Sequence, residues 1–238
     1  MKTKWVFVIV VLGLKGFSQE SAKQIKNINQ VWGGYYNSII INQKWLVNSD
    51  IQFRTKDWLD HPSQALIRTG LVRRINEKLS VTVGLAHFRF YLSDVATRGE
   101  WRPWQEIALT ENYKKLKVFH RFRSEERFNQ KTNNNEPIND YTYNWRFRYK
   151  LDLQFPLASR NNKALYFTIG NEIFINAGNI IKYNYFDQDR LSAGFNIELN
   201  KNFTLQPQFI YIWQQENNGI TLDKISVFRL NILHKIKF

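Results

Sequence analysis

Between Tyr141 and Phe155 every odd position is apolar or aromatic: Tyr141, Tyr143, Trp145, Phe147, Tyr149, Leu151, Leu153 and Phe155. Every even position is polar: Thr142, Asn144, Arg146, Arg148, Lys150, Asp152 and Gln154. A period of two marks a β-strand, which sends alternate side chains to opposite faces. At about 3.3 Å per residue the run reaches about 50 Å, whereas strands in soluble domains average about 5–6 residues. A strand this long, with one oily and one charged face, suits a wall between acyl chains and water.

The two-faced pattern recurs along the chain. Residues 190–200 set Leu191, Ala193, Phe195, Ile197 and Leu199 against Arg190, Ser192, Gly194, Asn196 and Glu198. Residues 45–56 set Trp45, Val47, Ile51 and Phe53 against Asn48, Asp50, Gln52, Arg54 and Lys56. Residues 116–127 and 202–213 behave alike. In residues 79–92 the apolar phase moves from odd (Val81, Val83, Leu85) to even (Phe88, Phe90, Leu92), which predicts a β-bulge there.

The pattern predicts strands at 30–41, 44–56, 64–75, 78–91, 101–113, 116–128, 139–155, 163–176, 186–200, 202–214 and 222–238. Short links (42–43, 76–77, 114–115, 159–162, 200–201) alternate with long ones (57–63, 92–100, 129–138, 177–185, 215–221). Asn-rich two-residue links are hairpin turns. The alternation predicts an all-β, antiparallel up-and-down transmembrane β-barrel with tight periplasmic turns and longer external loops. Eleven runs are visible, but single-chain bacterial barrels carry an even number of strands. The expectation is therefore about twelve strands, with ten as the alternative. Residues 19–29 would supply a poorly patterned first strand or thread the lumen, and 30–238 would form the barrel.

Composition narrows the class. The 238 residues hold no cysteine, which excludes disulfides and a lipid-modified N-terminal cysteine. Residues 1–18 read as a signal peptide: Lys2 and Lys4 precede the apolar stretch Val6 to Leu14, and small Gly16 and Ser18 precede the cut. No later run approaches the ~18 consecutive apolar residues of a helical span. Export with a barrel pattern places the chain in the outer membrane, among its lipids, as an expected monomer. Trp58, Trp101, Trp104, Tyr141, Tyr143, Tyr183, Tyr185 and Trp213 lie near the long links, where an interfacial girdle belongs. The alternating run through Ile236 to Phe238 looks like the signal read by barrel assembly machinery.

Several motifs carry a resemblance. They are Trp32-Gly33-Gly34-Tyr35-Tyr36, the Arg-aromatic-Arg runs Arg121-Phe122-Arg123 and Arg146-Phe147-Arg148, and Phe238. With the chain length, these resemble a family of small outer-membrane β-barrel proteins of unknown function from Gram-negative bacteria. The resemblance implies fold and location, and no activity.

Charge then points to a site. The net charge is +14, and half of the acids fall in or beside the long links. The polar strand face stays basic: Arg54, Arg68, Arg121, Arg123, Arg127, Arg146, Arg148, Lys150, Arg190 and Arg229. These are the candidate residues of a basic, partly filled lumen that passes or binds a small anionic solute. The competing arrangement is internal pairing with Asp50, Glu106, Glu125, Asp152, Glu172 and Glu198, which would plug the barrel. Nucleic acid is not the expected partner, because the basic positions alternate with lipid-facing ones and form no external patch.

No enzyme, cofactor or metal site is expected. A lipid-modifying hydrolase would need a Ser/His pair on the outer wall. His120 and His234 share the apolar phase but lack an evident acid orienter, and Ser124 lies about 13 Å along the strand from His120. Asp187 and Asp189 could hold Ca²⁺ but fit no EF-hand spacing. A soluble lipocalin-like barrel is the remaining alternative. It would need the aromatic face of 141–155 to point inward.

Overall fold

The computed structural model describes residues 23–92 and 94–237. The signal-peptide segment 1–18 and Phe238 lie outside the described residues. Among those described there are eleven strands: β1 (Gln24–Ile40), β2 (Trp45–Lys56), β3 (His61–Arg74), β4 (Leu79–Leu92), β5 (Val95–Tyr113), β6 (Leu116–Asn133), β7 (Glu136–Arg160), β8 (Lys163–Ala177), β9 (Phe186–Glu198), β10 (Phe203–Gln215) and β11 (Thr221–Lys237). Each pairs with its sequence neighbours, and the sheet closes into a barrel.

The expected twelve strands are corrected to eleven. Residues 24–29 form neither a separate strand nor a lumen segment; they lengthen β1. An odd number of up-and-down strands forces the closing pair to be parallel. β1 and β11 run side by side in one direction, from Gln24 opposite Thr221 to Ile40 opposite Lys237. The nine other strand junctions within the meander, and β10 against β11, are antiparallel. The parallel seam leaves Gln24 and Lys237 at opposite rims.

The turns follow from their asparagines. Asn42, Asn76, Asn200 and Asn218 each accept backbone N–H bonds from the second and third residues onward, at 2.8–2.9 Å. That Asx turn reverses the chain without demanding glycine. Asn134-Asn135 and Asn161-Asn162 instead adopt φ of 50–66°, the left-handed region that two-residue hairpins use.

Two expected long links are corrected. Strand β4 ends at Leu92 and β5 begins at Val95; β6 ends at Asn133 and β7 begins at Glu136. Here the hairpins continue beyond the apolar alternation. Residues 131–141 are exposed on both faces, so the alternation fades while backbone pairing persists. Strand β7 is 25 residues long for this reason. The links 57–60, 178–185 and 216–220 are true loops.

The faces are sorted inside out. Ile51, Ile67, Val83, Ile107, Phe122, Phe195 and Phe209 are exposed on the outer wall, Ile51 by 60%. Buried Asp50, Gln52, Glu100, Arg102, Arg123, Glu125, Arg146 and Glu172 face inward. This is the reverse of what a lipocalin-like barrel requires. Seven of the eight girdle aromatics are outward or on loops.

Trp104 is the exception and is corrected. It points inward, and its ring lies flat over Gly70 and Gly84, where an added Cβ would sit 2.7 and 2.5 Å from ring atoms. A register shift does fall within 79–92, but later than the change of apolar phase. The register of β4 is unbroken through Phe90 and shifts only between Phe90 and Tyr91. Phe88 and Phe90 therefore stay in phase with Thr82 and Ala86 and face the lumen.

Candidate functional site

Ten basic residues were singled out by their phase, and each lies on the inner wall. Arg54, Arg68, Arg121, Arg127, Arg146, Arg148, Lys150, Arg190 and Arg229 line one internal cavity of about 580 Å³. Arg123 lines a second cavity of about 810 Å³ toward the short-turn rim, with Asn162, Lys163, Asn200 and Lys201. Tyr36, Arg68, Arg121 and Leu233 border both cavities. The lumen is thus two chambers that meet at this layer.

The arginines divide into two sets by their partners. The first set, mostly on β5 to β8, is held by carboxylates. Glu125 receives Arg146 at 2.5 Å and Arg148 at 2.6 Å, with Arg102 at 3.8 Å and Arg123 at 3.9 Å. Glu172 receives Arg121 at 2.5 Å and Arg148 at 2.6 Å. Glu106 receives Arg123 at 2.5 Å. Glu100 receives Arg127 at 2.6 Å and a shorter bond from Arg102. Asp50 receives Arg68 at 2.8 Å, Asp187 receives Arg146 at 3.4 Å, and Asp152 receives Lys150 at 2.5 Å. Buried guanidinium–carboxylate pairs of this kind make strong, oriented hydrogen bonds.

The second set is held by glutamines. Arg54 donates to Gln64 Oε1 at 3.0 Å and Gln52 Oε1 at 3.1 Å. Arg190 donates twice to Gln188 Oε1, at 2.9 and 2.5 Å. Arg229 donates to Gln208 Oε1. Among the described residues, none of these three nor Arg98 has a carboxylate within 4.0 Å, and the Nε atoms of Arg54 and Arg229 are buried without a partner. A carboxamide orients a guanidinium but leaves its charge uncompensated.

Aromatic rings floor both sets. Arg54 and Arg190 lie 4.0 and 5.3 Å from the Trp32 ring centroid. Phe174 is 1% exposed, with Arg148 and Arg190 at 4.5 and 4.3 Å. Arg102 stacks on Phe88 at 3.6 Å, Arg98 on Phe90 at 4.2 Å and Arg123 on Trp104 at 4.1 Å. A ring face attracts a cation and tolerates the absence of water better than a second cation would. Beneath Trp32, the aliphatic side chains Ile210, Ile212, Ile225 and Val227 pack on the inner wall.

Several site residues escaped the sequence reading. Glu100 and Asp187 are among the acids in or beside the long links, yet both are buried partners of arginine. Arg102 and Arg98 were not singled out. The alternation Arg98-Gly99-Glu100-Trp101-Arg102 carries the signal, because it places all three charged residues on one face. Asp187 faces inward whereas Asp189 accepts from Asn171 Nδ2 at 2.5 Å on the outer wall, so the two do not converge on a cation. Among the described residues no group of three or more metal-ligating side chains occurs.

On the outer wall, His120 Nδ1 shares a hydrogen bond with the Tyr149 hydroxyl at 2.8 Å, and its Nε2 lies 3.6 Å from Glu111. The expectation that His120 lacks an acid neighbour is thereby corrected. Ser124 donates to Gln105 instead of approaching His120. His234 meets the Tyr35 hydroxyl at 2.7 Å and stacks on Phe203 at 4.1 Å. Ile236 is paired with Ile39 on the closing seam.

Comparison with curated proteins gives no match. Among solved structures, the chain is similar to the NanC porin, with 11% sequence identity and a TM-score of 0.51 over 82% of this chain and 93% of the porin. It also matches the siderophore receptor PirA from Pseudomonas aeruginosa, with 13% identity and a TM-score of 0.31 over 74% of this chain and 33% of the receptor. At such identity the likeness to the porin concerns the fold alone. A family model described as "Protein of unknown function (DUF2490)" matches residues 29–223, so the chain belongs to that family.

Proposed function

We propose that this chain is an outer-membrane β-barrel whose lumen passes or holds small anionic solutes. The observation that carries the reading is the uncompensated charge of Arg54, Arg98, Arg190 and Arg229 on the inner wall. Asp50, Glu100, Glu106, Glu125, Glu172 and Asp187 are taken up by other arginines, and the cations of the inner wall outnumber its carboxylates, so the remaining field is positive. The exposed apolar outer wall supports the membrane setting. The test is planar-bilayer conductance of the refolded protein under a salt gradient. A reversal potential of anion-selective sign supports the reading; cation selectivity or no conductance with no anion uptake by the refolded barrel refutes it.

The same reading makes the chain a non-enzyme. The rival is a lipid-modifying hydrolase, favoured by Glu111 beside His120. It predicts phospholipid turnover that disappears in His120→Ala. Turnover by the wild-type barrel with that loss would replace the transport reading.

A further inference from the structure

The glutamine-held arginines are neighbours by register. Arg54 of β2 lies opposite Trp32 of β1, and Trp32 lies opposite Arg229 of β11. Arg190 reaches from β9 to within 5.3 Å of the centroid of the same Trp32 ring. All three line the chamber of about 580 Å³. Their holders, Gln52, Gln188 and Gln208, are themselves buried. A buried arginine is normally neutralised by a carboxylate, as Glu125 and Glu172 do for other arginines of the same barrel. Here a neutral amide of the same shape stands at each of the three positions. It fixes the guanidinium direction and leaves the charge, and two buried Nε–H donors, for something else.

We infer that Arg54, Arg190 and Arg229 around Trp32 form a binding site for one small oxyanion-headed solute, a carboxylate or a phosphate. The inference rests on the anionic reading of the lumen and adds a saturable place within it. The planar guanidinium fork matches either oxyanion. The site's chemistry is set by the three glutamines: replacing each by glutamate keeps the volume and the acceptor oxygen that faces arginine, gives up the Nε2–H bonds of Gln52 to Asp50, Gln188 to Gln214 and Gln208 to Thr168, and supplies the missing counter-charge internally.

The refolded barrel is titrated calorimetrically with inorganic phosphate and, separately, with citrate, which tells the two head groups apart. Wild type is expected to bind at least one of them saturably. The triple variant Q52E/Q188E/Q208E should bind it roughly tenfold more weakly for each guanidinium neutralised. R54Q/R190Q/R229Q should show the same loss and covers the case in which the acidic variant fails to fold, with heat-modifiable gel mobility as the folding check. Unchanged binding in a folded variant overturns the site. If wild type is anion-selective in bilayers yet binds neither probe saturably, the site falls while the transport reading stands. A wild type without anion preference removes both.

Discussion

Glu125→Gln probes the pairing network at its most connected point. The carboxylate is 3% exposed and faces Arg146 through two bonds of 2.5 and 2.9 Å and Arg148 through one of 2.6 Å. Two more guanidiniums stand within 3.9 Å. With charge centres about 4 Å apart and an effective dielectric constant near 20, each close pair is worth about 4 kcal/mol. The two close pairs give about 8 kcal/mol, against several kcal/mol for burying the carboxylate. Glutamine keeps the volume and one acceptor oxygen, so no cavity forms. It also leaves four guanidiniums facing each other without their shared anion. The expected loss is about 3–5 kcal/mol, the range for breaking a buried pair on one side. Urea unfolding of the barrel refolded into lipid vesicles, followed by tryptophan fluorescence, measures it. Arg148→Gln added to Glu125→Gln should recover part of the loss. A Glu125→Gln barrel within about 0.5 kcal/mol of wild type, the range of an ordinary surface change, would refute the claim that these pairs act at low dielectric.

Three further outcomes are expected. Gly84→Ala places a Cβ 2.5 Å from the Trp104 ring and 2.4 Å from the Thr69 carbonyl oxygen; it should cost about 1–3 kcal/mol in the same assay and shift the emission of Trp104 as the ring is lifted from the wall. Asn27→Cys with Lys224→Cys joins residues that are Cα partners across the parallel seam, and oxidation should cross-link them in the chain, which otherwise lacks cysteine. An even-stranded barrel would not. Asn134→Cys at the tip of the β6–β7 hairpin should react with a membrane-impermeant maleimide on intact cells, and Gln43→Cys should not; the reverse labelling would invert the proposed orientation.

Legibility of the chain followed the physics of each element. Period-two alternation placed ten inner-wall cations on the correct face, because Arg146 or Arg190 in hydrocarbon would cost about 2–4 kcal/mol at the midplane. The strand count was legible directly as eleven. The evenness of bacterial barrels argued it away, because nothing in residues 24–40 announces a parallel partner 197 positions later at Thr221. The hairpin tips were missed because Lys131 to Asp140 has no oily phase, although its two strands still pair. Trp104, Phe88 and Phe90 were the harder error. An aromatic residue signals the lipid face only if the interior offers it nothing, and here each ring is floor to an arginine.

Partners across the lumen are illegible from spacing alone. Arg121 meets Glu172 over 51 positions and Arg146 meets Asp187 over 41, contacts between next-but-one strands that the register and curvature of the sheet set. Partners along one strand are different. Residues i and i+2 share a face, so an inward arginine can donate its first hydrogen bond to a neighbour two positions away. Glu100 accepts it from Arg102, Gln52 from Arg54 and Gln188 from Arg190. The identity of that neighbour, Glu or Gln, therefore separates arginines neutralised locally from arginines merely aimed. Gln52-Phe53-Arg54 and Gln188-Asp189-Arg190 carry that distinction in the sequence itself. The intervening Asp189 does not spoil it, because its carboxylate is spent on Asn171 on the opposite face of the wall. Where a lumen must attract an anion without losing the orientation of its cations, an amide in place of a carboxylate at i−2 meets both needs at no change in shape.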